Sequence, residues 1–569
     1  MKTYTRREFL KGAARTAAVA GIGAGAGRRF AQARVGGGDD FDLLIRGGTV
    51  YDGLGGEGIA ADLGISGFEI KSMGSLGRAR AKIVIDASGL AVSPGFIDVH
   101  DHTAAELLVN PKAESAVRQG VTTLISGNCG GSPFPVSELT LADDVKALKE
   151  EYGLELTWRD LDGFFARLRE RGFALNYATL VGQGSVRAAA MGFNDRKPTP
   201  SESELMKTLT ARAMEQGAVG LSTGLEYTPG SFADTDEIIG LARVAAGYGG
   251  LYATHMRDEE DNVLEAIDEA IAIARGGGLP LQISHFKIGY PRNWSKLDQA
   301  IAKVEAARRE GVDVFCDRYP YIAGATGLSL YFPMWAREGR TDDFIARLKD
   351  PALQDRLRTA LADVEKSLGS WDKILLSSVH TEKNGWVEGK TVREAAAQAG
   401  KDAYEFMRDL LIEEEGRVGM IAFVMSEDNL RRILAHPLVG VASDGAAVAP
   451  YGILGKGKPH PRFYGTFPRA LGRYVREEKL LPLAEMIRKI TSIPARRFRL
   501  EGRGVLKPGA AADIAVFDPD RIIDRATWTD PAQYPLGVEF VVVNGAVVVE
   551  KGEHTGRLPG RTLKRGEKA

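Results

Sequence analysis

At 569 residues the chain is too long for one small domain and can bury a large core. Its 74 basic and 75 acidic side chains leave a formal net charge of −1, without the electrostatic footprint of a nucleic-acid or anionic-membrane binder. Apolar residues at 44% and charged residues at 26% suit a soluble globular protein, and two cysteines in such a chain exclude a disulfide scaffold.

The first element is read as a targeting segment outside the fold. Thr5-Arg6-Arg7-Glu8-Phe9-Leu10-Lys11 is a paired arginine followed by an aromatic and an aliphatic residue, ahead of an Ala/Gly-rich apolar run over residues 12–27. Ala31-Gln32-Ala33 then sets two small residues around a larger one, as a signal peptidase requires. This is the order of a twin-arginine export signal, residues 1–33, cut after Ala33 to leave a periplasmic or extracellular protein. The run is shorter than the roughly 20 apolar residues that span a bilayer and carries Arg15, so no stable membrane anchor is expected after cleavage. Such signals carry proteins that fold and take up their cofactor before crossing, which is a reason to look for a metal site.

Residues 42–91 read as short strands and glycine turns, among them Asp42-Leu43-Leu44-Ile45-Arg46 and Ile83-Val84-Ile85. Residues 496–555 look alike: Asn544-Gly545 between two valine runs is a strong hairpin signal. Both ends are therefore expected to build one small β-sandwich domain. The middle, 92–495, alternates apolar runs with amphipathic helical stretches, which predicts an α/β fold, a (β/α)₈ TIM-like barrel. No early strand is followed by a Gly-rich phosphate turn, which weighs against a dinucleotide-binding sheet. A long, polar, helical interval at about 335–415 interrupts the rhythm and is read as an insertion that covers the site.

Five strand-like segments end in residues able to bind metal. Phe96-Ile97-Asp98-Val99-His100-Asp101-His102 ends in two imidazoles that share a face, because positions i and i+2 of a strand point the same way. The others end in Cys129, His255, His285 and Asp444. Imidazole, thiolate and carboxylate are the usual zinc ligands, and the C-terminal strand ends form the active face of such a barrel. Cys129 leads into Gly130-Gly131, where backbone can approach a ligand, whereas Cys316 reads as a buried small hydrophobe. His380, His436 and His554 read as structural, and His460, in a stiff Pro-flanked segment after Asp444, is placed to line the mouth.

These residues resemble the amidohydrolase superfamily, and within it the N-acyl-D-amino-acid deacylases, or D-aminoacylases. The resemblance runs from about Asp42 to Gly552. It is carried by the His100/His102 segment and by Gly127-Asn128-Cys129-Gly130, Gly224-Leu225-Glu226-Tyr227, Thr254-His255-Met256-Arg257, Ser284-His285-Phe286-Lys287, Tyr319-Pro320-Tyr321, Ser443-Asp444-Gly445 and Pro459-His460-Pro461-Arg462. It implies tight zinc at Cys129, His255 and His285, and a second, weaker metal position at His100, His102, Cys129 and Asp444. It implies a small N-acyl amino acid as substrate, its carboxylate and acyl group oriented by Tyr227, Lys287, Tyr319 and Arg462. Asp444 is expected to be the catalytic proton carrier. Thr103, Ala104 and Ala325 depart from the family pattern and bear on the preferred substrate side chain. The alternative on the same site is a dipeptidase, a cyclic-amide hydrolase or a lactonase. A barrel that had lost catalysis would show a broken ligand set, whereas all six positions here carry competent residues.

Overall fold

Strands from both ends of the chain meet in one sheet. In the computed structural model, which describes residues 40–567, Ile514–Phe517 pairs antiparallel with Ala91–Pro94, and Ala91–Pro94 pairs in parallel with Phe41–Val50. The export-signal reading, residues 1–33, lies outside the described residues. Nine strands join this sheet, five from the N-terminal part and four from the C-terminal part, with Val538–Val543, Ala546–Glu550 and Glu553–His554 on the other side of Ile514–Phe517. The predicted hairpin closes at Asn544 and Gly545, with φ of 47° and 79°, the left-handed pair that a tight two-residue turn needs. Alternate side chains such as Leu43, Ile45, Leu63, Ile65, Ile514 and Val516 bury one face together.

The middle of the chain builds parallel strands separated by helices. Phe96–Asp98 pairs with Val121–Ser126, which pairs with Asn176–Thr179. Past Leu180 the chain continues as Val181–Gly182, followed in the sheet by Gly220–Gly224, Leu251–His255, Leu281–Ile283, Val314–Arg318 and Val439–Val441, all parallel. The last of these runs back to the first. Asp101 and Gly445 form a parallel bridge, the His102 amide donates to Gly445 O at 2.8 Å, and the Asp444 amide donates to His100 O at 2.7 Å. The intervening helices follow their apolar spacing: Val263–Gly277 buries Val263, Ala266, Ile267, Ala270, Ile271 and Ala274.

Between Val314–Arg318 and Val439–Val441 the chain leaves this circuit. The excursion holds the expected helices, Thr341–Lys349, Gln354–Leu368, Val392–Ala399 and Ala403–Glu413, around a core that includes Phe344, Leu361, Trp371 and Met407. It also holds a three-stranded antiparallel sheet, Gly324–Gly327, Val418–Ala422 and Ile374–Val379, which a helical reading of 335–415 missed. Two of these strands lie outside that interval and the third is flanked by helices, so no local alternation stood out. Among the described residues no helix is long and apolar enough to cross a membrane.

Candidate metal centre

Every predicted ligand stands at or just past the C-terminal end of a parallel strand. His100 and His102 follow Phe96–Asp98, Cys129 follows Val121–Ser126, and His255 is the last residue of Leu251–His255. His285 follows Leu281–Ile283 and Asp444 follows Val439–Val441. Cys129, His285 and Asp444 adopt φ of 51°, 36° and 51°. Non-glycine residues enter this left-handed region at a cost, about 1–3 kcal/mol each where strain is stored at a functional site.

The six residues converge. Cys129 Sγ lies 3.3 Å from His100 Nε2 and 3.6 Å from His285 Nε2. Asp444 Oδ1 lies 2.9 Å from His102 Nε2 and 3.4 Å from His100 Nε2. Three donor groups have all their ligand atoms within 4.8 Å of one another: His100, Cys129 and His285; His100, His102 and Asp444; and His255, Glu259 and His285. Glu259 joins His255 to His285, and the thiol groups with His100 and His285 while its hydrogen bonding also reaches His255.

A metal fits this donor set. Bonds of 2.3 Å to sulfur and about 2.0 Å to nitrogen in a tetrahedral site put the two ligand atoms about 3.5 Å apart, close to both sulfur–nitrogen distances here. Two imidazoles also have the carboxylate backing usual for metal-bound histidine. His285 Nδ1 is 2.9 Å from Glu259 Oε1 and His100 Nδ1 is 3.3 Å from Asp317 Oδ1, so each ring presents Nε2 to the sulfur. Both ring nitrogens of His255 are buried without a hydrogen bond, although Nε2 stands 3.2 Å from Glu226 Oε2. Neither nitrogen is committed to a protein hydrogen bond, so one can turn to a cation that displaces its proton.

The electrostatics point the same way. Burial alone would raise the Cys129 thiol, but the charge of His100 and hydrogen bonds from the surrounding imidazoles hold it well below its ordinary value. Burial likewise works against ionised Asp444, yet Arg462 and His100 keep its carboxyl well below the usual range. Desolvation opposes a charged His102, but the hydrogen bond it donates to Asp444 lifts it to about 9. A thiolate and a carboxylate therefore face imidazoles that hold protons a metal would displace. Cys316 is the contrast: buried, its thiol is pushed up, which suits a small core residue.

A cavity of about 1030 Å³ opens over the cluster. His102, Cys129, His255, His285 and Asp444 form part of its wall, as do Tyr227, Lys287, Tyr319 and Arg462. Arg462 Nη1 is 3.0 Å from Asp444 Oδ2, and its guanidinium lies 4.6 Å from the Tyr319 ring centre. Lys287 is paired with buried Glu259 and its Nζ is 3.0 Å from His285 Nδ1. Tyr227 stacks edgewise on His255 at 4.8 Å, and burial pushes its hydroxyl up to about 12. His460 is buried, accepts the Arg462 amide at Nδ1 (3.0 Å) and places Nε2 2.9 Å from Ala323 O, so it props Arg462 at the mouth. The excursion supplies much of the remaining wall, including Ala325, Tyr331, Val379 and Met425.

Sequence reasoning missed several members. Glu226, Glu259 and Asp317 contact the imidazoles, and His380, read as structural, lines the cavity. Glu259 lies four residues past His255 and Asp317 lies in the next strand, Val314–Arg318. Position at a strand end was the usable signal for Asp317; nothing distinguished Glu259 among the acids of Asp258-Glu259-Glu260-Asp261.

A model of the Amidohydrolase family matches residues 83–549. An N-acyl-D-glutamate deacylase of Alcaligenes xylosoxydans xylosoxydans is 38% identical over 93% of this chain and 97% of its own length. A D-aminoacylase of the same organism is 36% identical over 92% and 98%. Among solved structures, N-acyl-D-glutamate deacylase from Bordetella bronchiseptica, complexed with zinc and a phosphonate mimic of the tetrahedral intermediate, superposes with a TM-score of 0.79. It is 36% identical and covers 92% of this chain and 99% of that one. With its strand-end ligands and near full-length similarity to these enzymes, the chain belongs to the amidohydrolase family, in its D-aminoacylase branch.

Proposed function

We propose that the protein hydrolyses the amide bond of N-acyl-D-amino acids, releasing a carboxylate and a free D-amino acid, with zinc as its metal. The carrying observation is the juxtaposition of the Cys129–imidazole cluster with Arg462, Lys287 and Tyr319 in one cavity wall, beside relatives named for this activity. In this reading the eight parallel strand positions form a (β/α)₈ barrel over 92–495, and residues 42–91 and 496–555 form a small β-sandwich domain. Export by the twin-arginine route belongs to the same proposal and rests on residues 1–33 of the sequence.

Cys129, His255 and His285 would hold the tighter ion, and His100, His102, Cys129 and Asp444 a second, weaker one. When bound, zinc polarises the amide carbonyl and lowers the pKa of water from 15.7 to about 7. The substrate carboxylate is gripped by Arg462, whose planar fork donates two hydrogen bonds, and by Lys287. Tyr319, its ring against Arg462, and Tyr227 orient the chain of the substrate around the scissile bond. Asp444 takes a proton from the attacking water and passes it to the leaving amine, as a general base and then a general acid. Its ionised state, favoured by Arg462 and His100, suits the first of these steps.

The test is chiral analysis of the amino acids released from racemic N-acetyl substrates, run beside hydantoins and D-dipeptides. Release of D-amino acids alone is expected. Release of only L-amino acids, or faster turnover of the cyclic amides, would overturn the reading.

A further inference from the structure

A second cavity, of about 400 Å³, adjoins the metal cluster. Cys129, Gly131 and Tyr227 wall both cavities, whereas Lys287, Tyr319 and Arg462 wall only the larger. The smaller one is bounded by the loop after Cys129, the helices Leu141–Tyr152 and Gln183–Met191, and the segment from Tyr227 to Gly230. Its apolar surface comes from Val136, Leu148, Leu156, Trp158, Ala188 and Phe193. Polar groups in that wall are satisfied among themselves: Ser132 N donates to Ser185 Oγ (2.9 Å), Ser185 Oγ donates to Ser132 O (3.0 Å), and Trp158 Nε1 donates to Pro133 O (2.8 Å). None of its described lining residues is basic, and Asp144 and Glu151 stand at the rim.

These facts divide the substrate across the scissile bond. An amide carbonyl at the cluster has its amino-acid half drawn to Arg462 and Lys287. Its acyl half then has the other opening to enter, past Cys129 and Tyr227. A cavity with an apolar wall, internally bonded polar groups and acidic side chains at its rim accepts an uncharged hydrocarbon and rejects a carboxylate. At roughly 30 Å³ for a group the size of a water molecule, the space of about 400 Å³ exceeds what an acetyl methyl fills and takes a chain of up to about a dozen carbons.

Resting on the deacylase reading above, we propose that this second cavity is the acyl subsite, and that the substrates are D-amino acids carrying an uncharged medium-length acyl chain rather than acetyl.

The experiment compares kcat/KM for acetyl, butanoyl, hexanoyl and octanoyl derivatives of one D-amino acid. A rise of about two- to fourfold per methylene is expected, the value of burying a CH₂ group. Ala188→Phe, which fills the cavity from the Gln183–Met191 helix, should flatten that rise, its loss in kcat/KM growing with chain length. Ala147→Trp, at the exposed side of the wall, gives the same readout should Ala188→Phe not fold. Efficient acetyl hydrolysis with kcat/KM falling as the chain lengthens overturns the acyl subsite and leaves the deacylase reading standing. Equal losses at every chain length in both variants also overturn it. No hydrolysis of any derivative overturns the deacylase reading itself.

Discussion

Three of the six clustered residues, Cys129, His285 and Asp444, carry left-handed backbone. The fold holds these residues in conformations that cost it stability, in exchange for side chains aimed at one point. Asn is among the few residues that tolerate such a backbone, so Asp444→Asn changes the chemistry of the carboxylate with little change of shape. That variant should keep its zinc, measured by elemental analysis, while kcat falls by about 10²–10⁴-fold, the usual worth of a general acid–base. Near-normal turnover in the metal-loaded variant would remove Asp444 from the proton path. All six converging residues were legible in the sequence because each ends an apolar run. Glu226, Glu259 and Asp317 were not, since an acid that braces an imidazole looks like any other acid until the fold brings it there. The ion-pair partners were equally hidden: Arg462 sits on Asp444 and Lys287 on Glu259.

At the scale of elements, the parallel strands form the floor and the excursion between Val314–Arg318 and Val439–Val441 walls the cavity above it. The helices of the excursion were readable from their spacing. Its antiparallel sheet was not, because its pairing is between short segments far apart in sequence. A different element carries a pH dependence. Lys489, on the helix Leu483–Ile490, is 1% exposed and donates to Leu434 O (2.7 Å) and His436 O (2.6 Å). Burial pulls its ammonium down to about 7. In the unfolded chain lysine keeps its proton to about 10.4. Between these values the unfolded state binds a proton that the folded state lacks, so raising the pH through that window favours folding. Below it both states are protonated and the dependence from this group vanishes. Wild type should therefore gain on Lys489→Met by up to about 1.4 kcal/mol per pH unit from pH 7 towards 10. Urea midpoints of the two proteins at pH 7.5 and 9.5 measure this; a constant difference between them would refute it.

For the whole molecule, the two chain ends were legible as β-rich and the middle as alternating α/β. Their union through the Ile514–Phe517 and Ala91–Pro94 pairing required the structure, since register between strands some 420 residues apart leaves no local trace. The metal should stabilise the whole. A ligand at 100 times its Kd adds about 2.7 kcal/mol, so chelation should lower Tm, added zinc should restore it, and Cys129→Ala should show neither shift. An unchanged Tm on chelation would mean that the cluster does not hold a metal tightly.

The contact between His102 and Asp444 spans 342 positions of the chain, and the strand ends carrying them meet at the Asp101–Gly445 bridge. A ribosome that has not yet delivered Asp444 has made a polypeptide in which the second ligand group does not exist. In the proposed reading that group could take an ion only after nearly four-fifths of the molecule has been synthesised and brought round to its beginning.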